Sequence, residues 1–158
     1  MKECISSAGL IKTIEYFYFM QKFYLDTAIW RDYFEDRKDA LRPLGEFAFQ
    51  FLKNCEKKNC SVFYSEVVVY ELKRDYSDEM IKQVFSSFEH FLGIVPISNE
   101  QYLESKKLAK VKTESHAADI LHAIIARDNK AVLITRDFHF ETLRDIVEIK
   151  APEEVTFD

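Results

Sequence analysis

The sequence predicts an α/β protein, a three-layer α/β/α sandwich with a central parallel sheet of about five strands, and three observations carry that prediction. Short apolar runs alternate with longer amphipathic segments from residue 23 onward, the pattern of strand–helix–strand units. Two of the runs end in nearby aspartates, as expected at the carboxyl edge of a parallel sheet. Finally, 158 residues with 47% hydrophobic content suit one domain with a sizeable core, while 3 glycines and 3 prolines leave no room for a flexible linker.

Residues 1–20 form an N-terminal extension. Lys12 and Glu15 interrupt its apolar residues, so neither a signal peptide nor a membrane-spanning helix is expected. Leu10, Ile11, Ile14, Phe17 and Tyr18 fall at helical spacing, which suits an extra amphipathic helix. The alternative is an upstream start, with Met20 opening the domain of residues 21–158.

The strand runs are Phe23–Leu25, Val62–Tyr64, Ile94–Ile97, Ala131–Ile134 and Ile146–Ile149. Between them Leu44, Phe47, Phe51 and Leu52 mark one helix face, and Ile81, Val84, Phe85, Phe88 and Leu92 another. Leu103, Leu108 and Val111 belong to a lysine-rich helix. Ala117, Ile120, Leu121, Ile124 and Ile125 make a strongly apolar one that Asn129 closes. Residues 67–72 are even between the two states: Val67, Val68 and Val69 favour a strand, whereas Ser65 can cap a helix that Glu71, Leu72 and Lys73 continue.

The formal charge of -5 does not advertise nucleic acid over the whole surface. A metal-dependent nuclease nevertheless gathers acids at its centre, so local charge is the better guide. Three cysteines without zinc-ligand spacing indicate a reduced, cytosolic chain. A Cys55–Cys60 disulfide is the alternative, and 31% charged residues would fit a hyperthermophilic source for it.

Ligands of open parallel sheets bind outside the carboxyl ends of the strands. Asp26 directly follows Leu25, and Asp137 follows Ile134 after Thr135 and Arg136, so both carboxylates land on that edge. Asp119 sits in an otherwise apolar helix, and Glu71 lies just beyond the second strand. Each acid alone also reads as an N-cap, a solvated helix residue or a helix-dipole partner. Together, four converging carboxylates would repel one another unless a divalent cation joins them. Oxygen ligands select Mg²⁺ or Mn²⁺, whose chemistry here is phosphodiester hydrolysis.

At these residues the sequence resembles the PIN domains, and among them the VapC-type toxins of prokaryotes. The similar stretches are Phe23-Tyr24-Leu25-Asp26-Thr27, Ser65 through Glu71-Leu72, Ala118-Asp119-Ile120-Leu121-His122-Ala123, and Ile134-Thr135-Arg136-Asp137-Phe138-His139-Phe140. They span residues 22 to 150, and the last two are the most specific. The resemblance implies a PIN domain over residues 21–158 and a Mg²⁺- or Mn²⁺-dependent endoribonuclease with Asp26, Glu71, Asp119 and Asp137 as catalytic metal ligands. It makes residues 67–72 helical, gives Thr27 and Thr135 supporting hydroxyls, and leaves His122 to packing. It also suggests a homodimer and an antitoxin partner. Residues 1–20 and His139 depart from the family pattern, which bears on the subfamily.

Two rivals were weighed. A phosphorelay receiver needs an aspartate at the end of its third strand, where this chain offers only Ser98. A non-catalytic PIN-like module that binds RNA or protein would not need all four acids, and an RNA processing or surveillance nuclease would differ only in target. Arg74 and Arg136 are candidate RNA phosphate contacts, with Lys106, Lys107, Lys110, Lys112 and Arg127 as further cations, although charge runs are more often solvated faces.

Overall fold

A computed structural model describes residues 20–157, and the helix expected within residues 1–20 lies outside them. The chain runs β1 (Lys22–Leu25), α1 (Thr27–Glu35), α2 (Leu44–Lys57), β2 (Ser61–Ser65), α3 (Glu66–Leu72), α4 (Asp78–Ser86), β3 (Leu92–Val95), α5 (Asn99–Ala109), α6 (Ala117–Asp128), β4 (Val132–Ile134) and β5 (Ile149–Lys150). Single 3₁₀ turns at Phe138–Leu143 and Pro152–Glu154 flank β5. All strand pairs are parallel, in the order β3-β2-β1-β4-β5. Helices cover both faces of this sheet, so the three-layer α/β/α expectation holds.

The order places β1 at the centre. The chain steps outward through β2 and β3, then returns to the other side of β1 with β4 and β5. The reversal between β1 and β4 opens a crevice at their carboxyl ends, the place where such sheets bind ligands. Asp26 N donates to Ile134 O at 3.0 Å and closes the two strands at that point.

Burial explains the central strands. Tyr24, Leu25, Val62, Leu133 and Ile134 are wholly buried, as strands covered on both faces require. The edge strands differ from their expected positions. β3 begins at Leu92 and ends at Val95, because Pro96 has no N–H for the ladder, and Ile94 is 59% exposed at this edge. β5 is only Ile149–Lys150. Ile146 and Val147 donate to Leu143 O in a turn instead of pairing with β4.

Residues 66–72 are a helix, although Ser65 at its start uses its hydroxyl elsewhere. Asn129 ends α6 as expected, with its amide on Ile125 O at 2.8 Å. Trp30 is fully buried against Phe85, with ring centroids 4.6 Å apart. Cys55 and Cys60 are free buried thiols. Among the described residues no helix is long and apolar enough to cross a membrane.

Gly45, in the first turn of α2, packs against Asp36 at the C-terminal end of α1. A Cβ there would meet the Asp36 Cα at 2.5 Å and its carbonyl carbon at 2.8 Å, both backbone atoms that cannot swing aside. Gly45→Ala is therefore expected to destabilise the protein by about 1–3 kcal/mol, the usual cost of overpacking. Thermal melts should show a drop of several degrees; an unchanged melting temperature would mean that the helices separate freely.

Candidate active site

β1 ends by delivering Asp26 into the crevice. Its side chain is 6% exposed and caps α1, with Oδ1 accepting from Thr27 N at 2.7 Å. Oδ2 accepts from Thr135 Oγ1 at 2.9 Å. The same Thr135 hydroxyl accepts from Asp137 N at 3.1 Å, so one threonine joins the two acids that follow β1 and β4. Asp137 in turn caps its 3₁₀ turn through His139 N. Both aspartates are thus N-caps as well as edge carboxylates, and the two readings of them are compatible.

α3 follows β2 without a loop and carries Glu71 back over the edge. Its Oε2 accepts from Thr27 Oγ1 and lies 3.7 Å from Nε2 of buried His122 on α6. Among the described residues, Asp26, Glu71 and His122 form the one tight group, each offering a ligand atom within 4.8 Å of the others. Asp119, one turn before His122, is half-buried nearby. Asp119 and Asp137 stand outside the tight group, yet the charges of Asp137 and Asp26 both act on Asp119.

The charges are set by burial first. Burial pushes the Asp26 carboxyl above the ordinary range, against the opposing pull of His122, Thr135 and the Thr27 amide. Burial also raises Asp119, and the charges of Asp137 and Asp26 raise it further. In Glu71, burial is outweighed by His122, by the Thr27 hydroxyl and by the charge of Arg31, and the carboxyl lies below its usual range. For His122, burial favours the neutral ring, but Glu71, Asp26 and Asp119 outweigh it and hold the imidazole above its usual value. Because 3.7 Å exceeds hydrogen-bond range, the Glu71–His122 attraction is one of charge.

His122 is the residue that sequence reasoning left to packing. Its Nδ1 is 2.8 Å from the Tyr24 hydroxyl, which also bonds Ser65 Oγ at 2.7 Å, so two buried hydroxyls in series fix the ring. Nε2 is buried, faces the carboxylates and has no hydrogen-bond partner. A buried Nε2 without a partner is costly unless an acceptor meets its proton or, in the neutral ring, a cation or donor completes the site.

The cations are placed differently from the expectation. Arg136 is not a free phosphate contact: its Nε bonds Asp32 Oδ2 at 2.9 Å, its Nη1 bonds Glu153, and its side chain is 12% exposed. It braces the loop after β4 against α1. Arg74 is exposed and lies over the Tyr70 ring at 5.4 Å, on the outer end of α3. Arg31, which the sequence did not single out, pairs with Asp75 at 2.9 Å and lends positive charge to Glu71.

Solved structures share this fold. The structure of VapBC2 from Rickettsia felis bound to a DNA fragment from their promoter is similar at a TM-score of 0.62 and 18% identity, over 83% of this chain and 98% of that one. FitAcB from Neisseria gonorrhoeae is similar at 0.57 and 19%, over 84% and 99%. FitAB bound to the IR36 DNA fragment is similar at 0.58 and 20%, over 85% and 97%. At such identities these neighbours establish the fold. No family model and no curated protein matches the sequence.

Proposed function

We propose that the protein is a PIN-domain endoribonuclease of the VapC type, dependent on Mg²⁺ or Mn²⁺, acting in the cytoplasm as the toxin of a toxin–antitoxin pair. The observation that carries this reading is the convergence of Asp26, Glu71 and His122 within 4.8 Å at the sheet's switch point, with Asp119 and Asp137 beside them. The donor set is mostly carboxylate oxygen, which suits a hard divalent cation. Asp26, Glu71, Asp119 and Asp137 would hold it, with the unpartnered Nε2 of His122 facing the same space. A cation bound there supplies the charge that offsets a phosphodiester and favours hydroxide as the nucleophile.

The chain's own residues prepare that site. Thr135 holds Asp26 Oδ2 and the Asp137 amide in one geometry, and Thr27 orients Glu71. Tyr24 and Ser65 keep His122 from rotating. Asp26 and Asp137 cap a helix and a 3₁₀ turn, Asp119 lies in the first turn of α6, and Glu71, near the end of α3, is held by Thr27. That the structural neighbours VapBC2 and FitAB were captured on DNA fragments supports a small DNA-binding antitoxin as partner.

The end groups of the product test the mechanism. Hydrolysis by water leaves a 5′-phosphate and a 3′-hydroxyl and does not need the ribose 2′-hydroxyl. Acid–base catalysis by His116, His122 or His139 would use that hydroxyl and leave a 2′,3′-cyclic phosphate. End-labelled RNA with one 2′-deoxy substitution at the cut site should still be cleaved to 5′-phosphate ends. Cyclic phosphate products, or cleavage that survives excess chelator, would overturn the carboxylate–metal reading.

A further inference from the structure

Phe138 is a large apolar side chain left 74% exposed immediately after the site aspartate Asp137. Its ring packs on that of His139 in a tilted contact, with centroids 4.1 Å apart and planes inclined by 34°. His139 is itself held by Asp137, Nδ1 to Oδ1 at 2.8 Å, and His116 at the start of α6 lies 6.2 Å across from it. An aromatic pair is therefore tied directly to the carboxylate edge and turned to solvent.

Beside it lies a cavity of about 170 Å³ between the 3₁₀ turn and β5, lined by Phe138 together with Arg136, Arg144, Lys150, Asp137, Glu141 and Glu154. This volume is below the roughly 300–1,000 Å³ of a whole small-molecule site. Three cations balance three carboxylates, which is unlike a phosphate pocket and suits the mixed donor and acceptor edge of one neutral base. Aromatic platforms beside charged grooves are how proteins hold single-stranded nucleic acid without reading its sequence.

We propose that Phe138, backed by His139, stacks the base of a single-stranded RNA nucleotide adjacent to the phosphodiester at the carboxylate cluster, with the cavity beside β5 receiving that base's edge. The inference rests on the nuclease reading of the cluster and adds a subsite: the base beside the cut bond, unpaired and held by stacking on Phe138. A duplex, whose bases are already stacked, cannot use this platform.

Two measurements test it. With cleavable single-stranded RNA and manganese, Phe138→Ala should raise KM on the order of ten-fold with kcat nearly unchanged, and Phe138→Trp should restore it. In the non-cleaving Asp26→Asn background, RNA carrying 2-aminopurine at successive positions should show quenching at one position that disappears with Phe138→Ala. The exposure of Phe138 makes either substitution harmless to folding, which circular dichroism checks. If the protein cuts RNA and Phe138→Ala changes neither readout, the platform is wrong and the nuclease reading stands. Binding and quenching without cleavage would overturn the nuclease reading and leave the platform. No RNA binding at all removes both, and loss of a dimer upon Phe138→Ala with RNA binding intact would make this a protein interface instead.

Discussion

Asp26→Asn is expected to lower RNA cleavage by on the order of 10³-fold or more while the protein stays folded. Asparagine keeps one acceptor for the Thr27 amide, and its own amide can donate to Thr135 Oγ1, so the cap and the strand link survive. What disappears is the charge of the most buried carboxylate of the cluster. Asp137→Asn should fall by a similar factor. Because the two acids are joined through Thr135 and serve one site, the double variant should be little worse than either single one. Rates with saturating manganese, measured beside circular dichroism, decide the matter. Losses that simply multiply would mean two independent sites, and a loss explained by unfolding would remove the argument altogether.

The parts of the fold legible in the sequence are those whose burial is uniform. β1 and β4 are almost wholly buried and β2 packs Val62 in the core with Phe63 and Tyr64 against it, so all three read as unbroken apolar runs. The edge strands did not read correctly, for a physical reason. Edge strands need pairing on one side only, so Ile94 can be exposed in β3 and the apolar Ile146 and Val147 can serve a turn before β5. The helix at residues 66–72 shows the same limit. Three valines carry a strand preference, and the placement of Val68 and Leu72 in the core overrides it.

Site legibility divides along the same line. That Asp26 and Asp137 lie at the sheet's carboxyl edge was visible because strand ends can be located from strands. His122 was not, since a histidine between Leu121 and Ala123 in an apolar helix looks like packing. Its meaning comes from Tyr24 and Glu71, 98 and 51 positions away. One signal was available: a histidine three residues after Asp119 shares its helix face. Arg136 misled in the opposite sense, because its partner Asp32 lies 104 positions away and nothing local announces that pair.

The stability of the metal-free protein should rise, not fall, as pH is lowered from neutral toward the ordinary carboxylate range, and manganese should reverse that slope. The sign follows from the directions of the shifts. Asp26 and Asp119 are raised in the folded state, so the native protein binds protons that the unfolded chain does not, and stability is lost as pH rises through their folded values. His122 is also raised, and its contribution is likewise present below the unfolded value near 6.5 and lost above the folded one. Glu71 acts oppositely, but its contribution is lost only as pH falls below its unfolded value near 4.5, outside this window. A cation needs the deprotonated carboxylates, so its stabilisation grows with pH and is about 4 kcal/mol when present at 1,000 times its Kd. Melting curves at several pH values, with chelator and with millimolar manganese, should therefore cross. Asp26→Asn should melt higher than the native protein in chelator at neutral pH and gain little from manganese. Parallel curves with and without manganese, or an Asp26→Asn variant that responds to manganese as the native protein does, would show that these carboxylates are not the metal site.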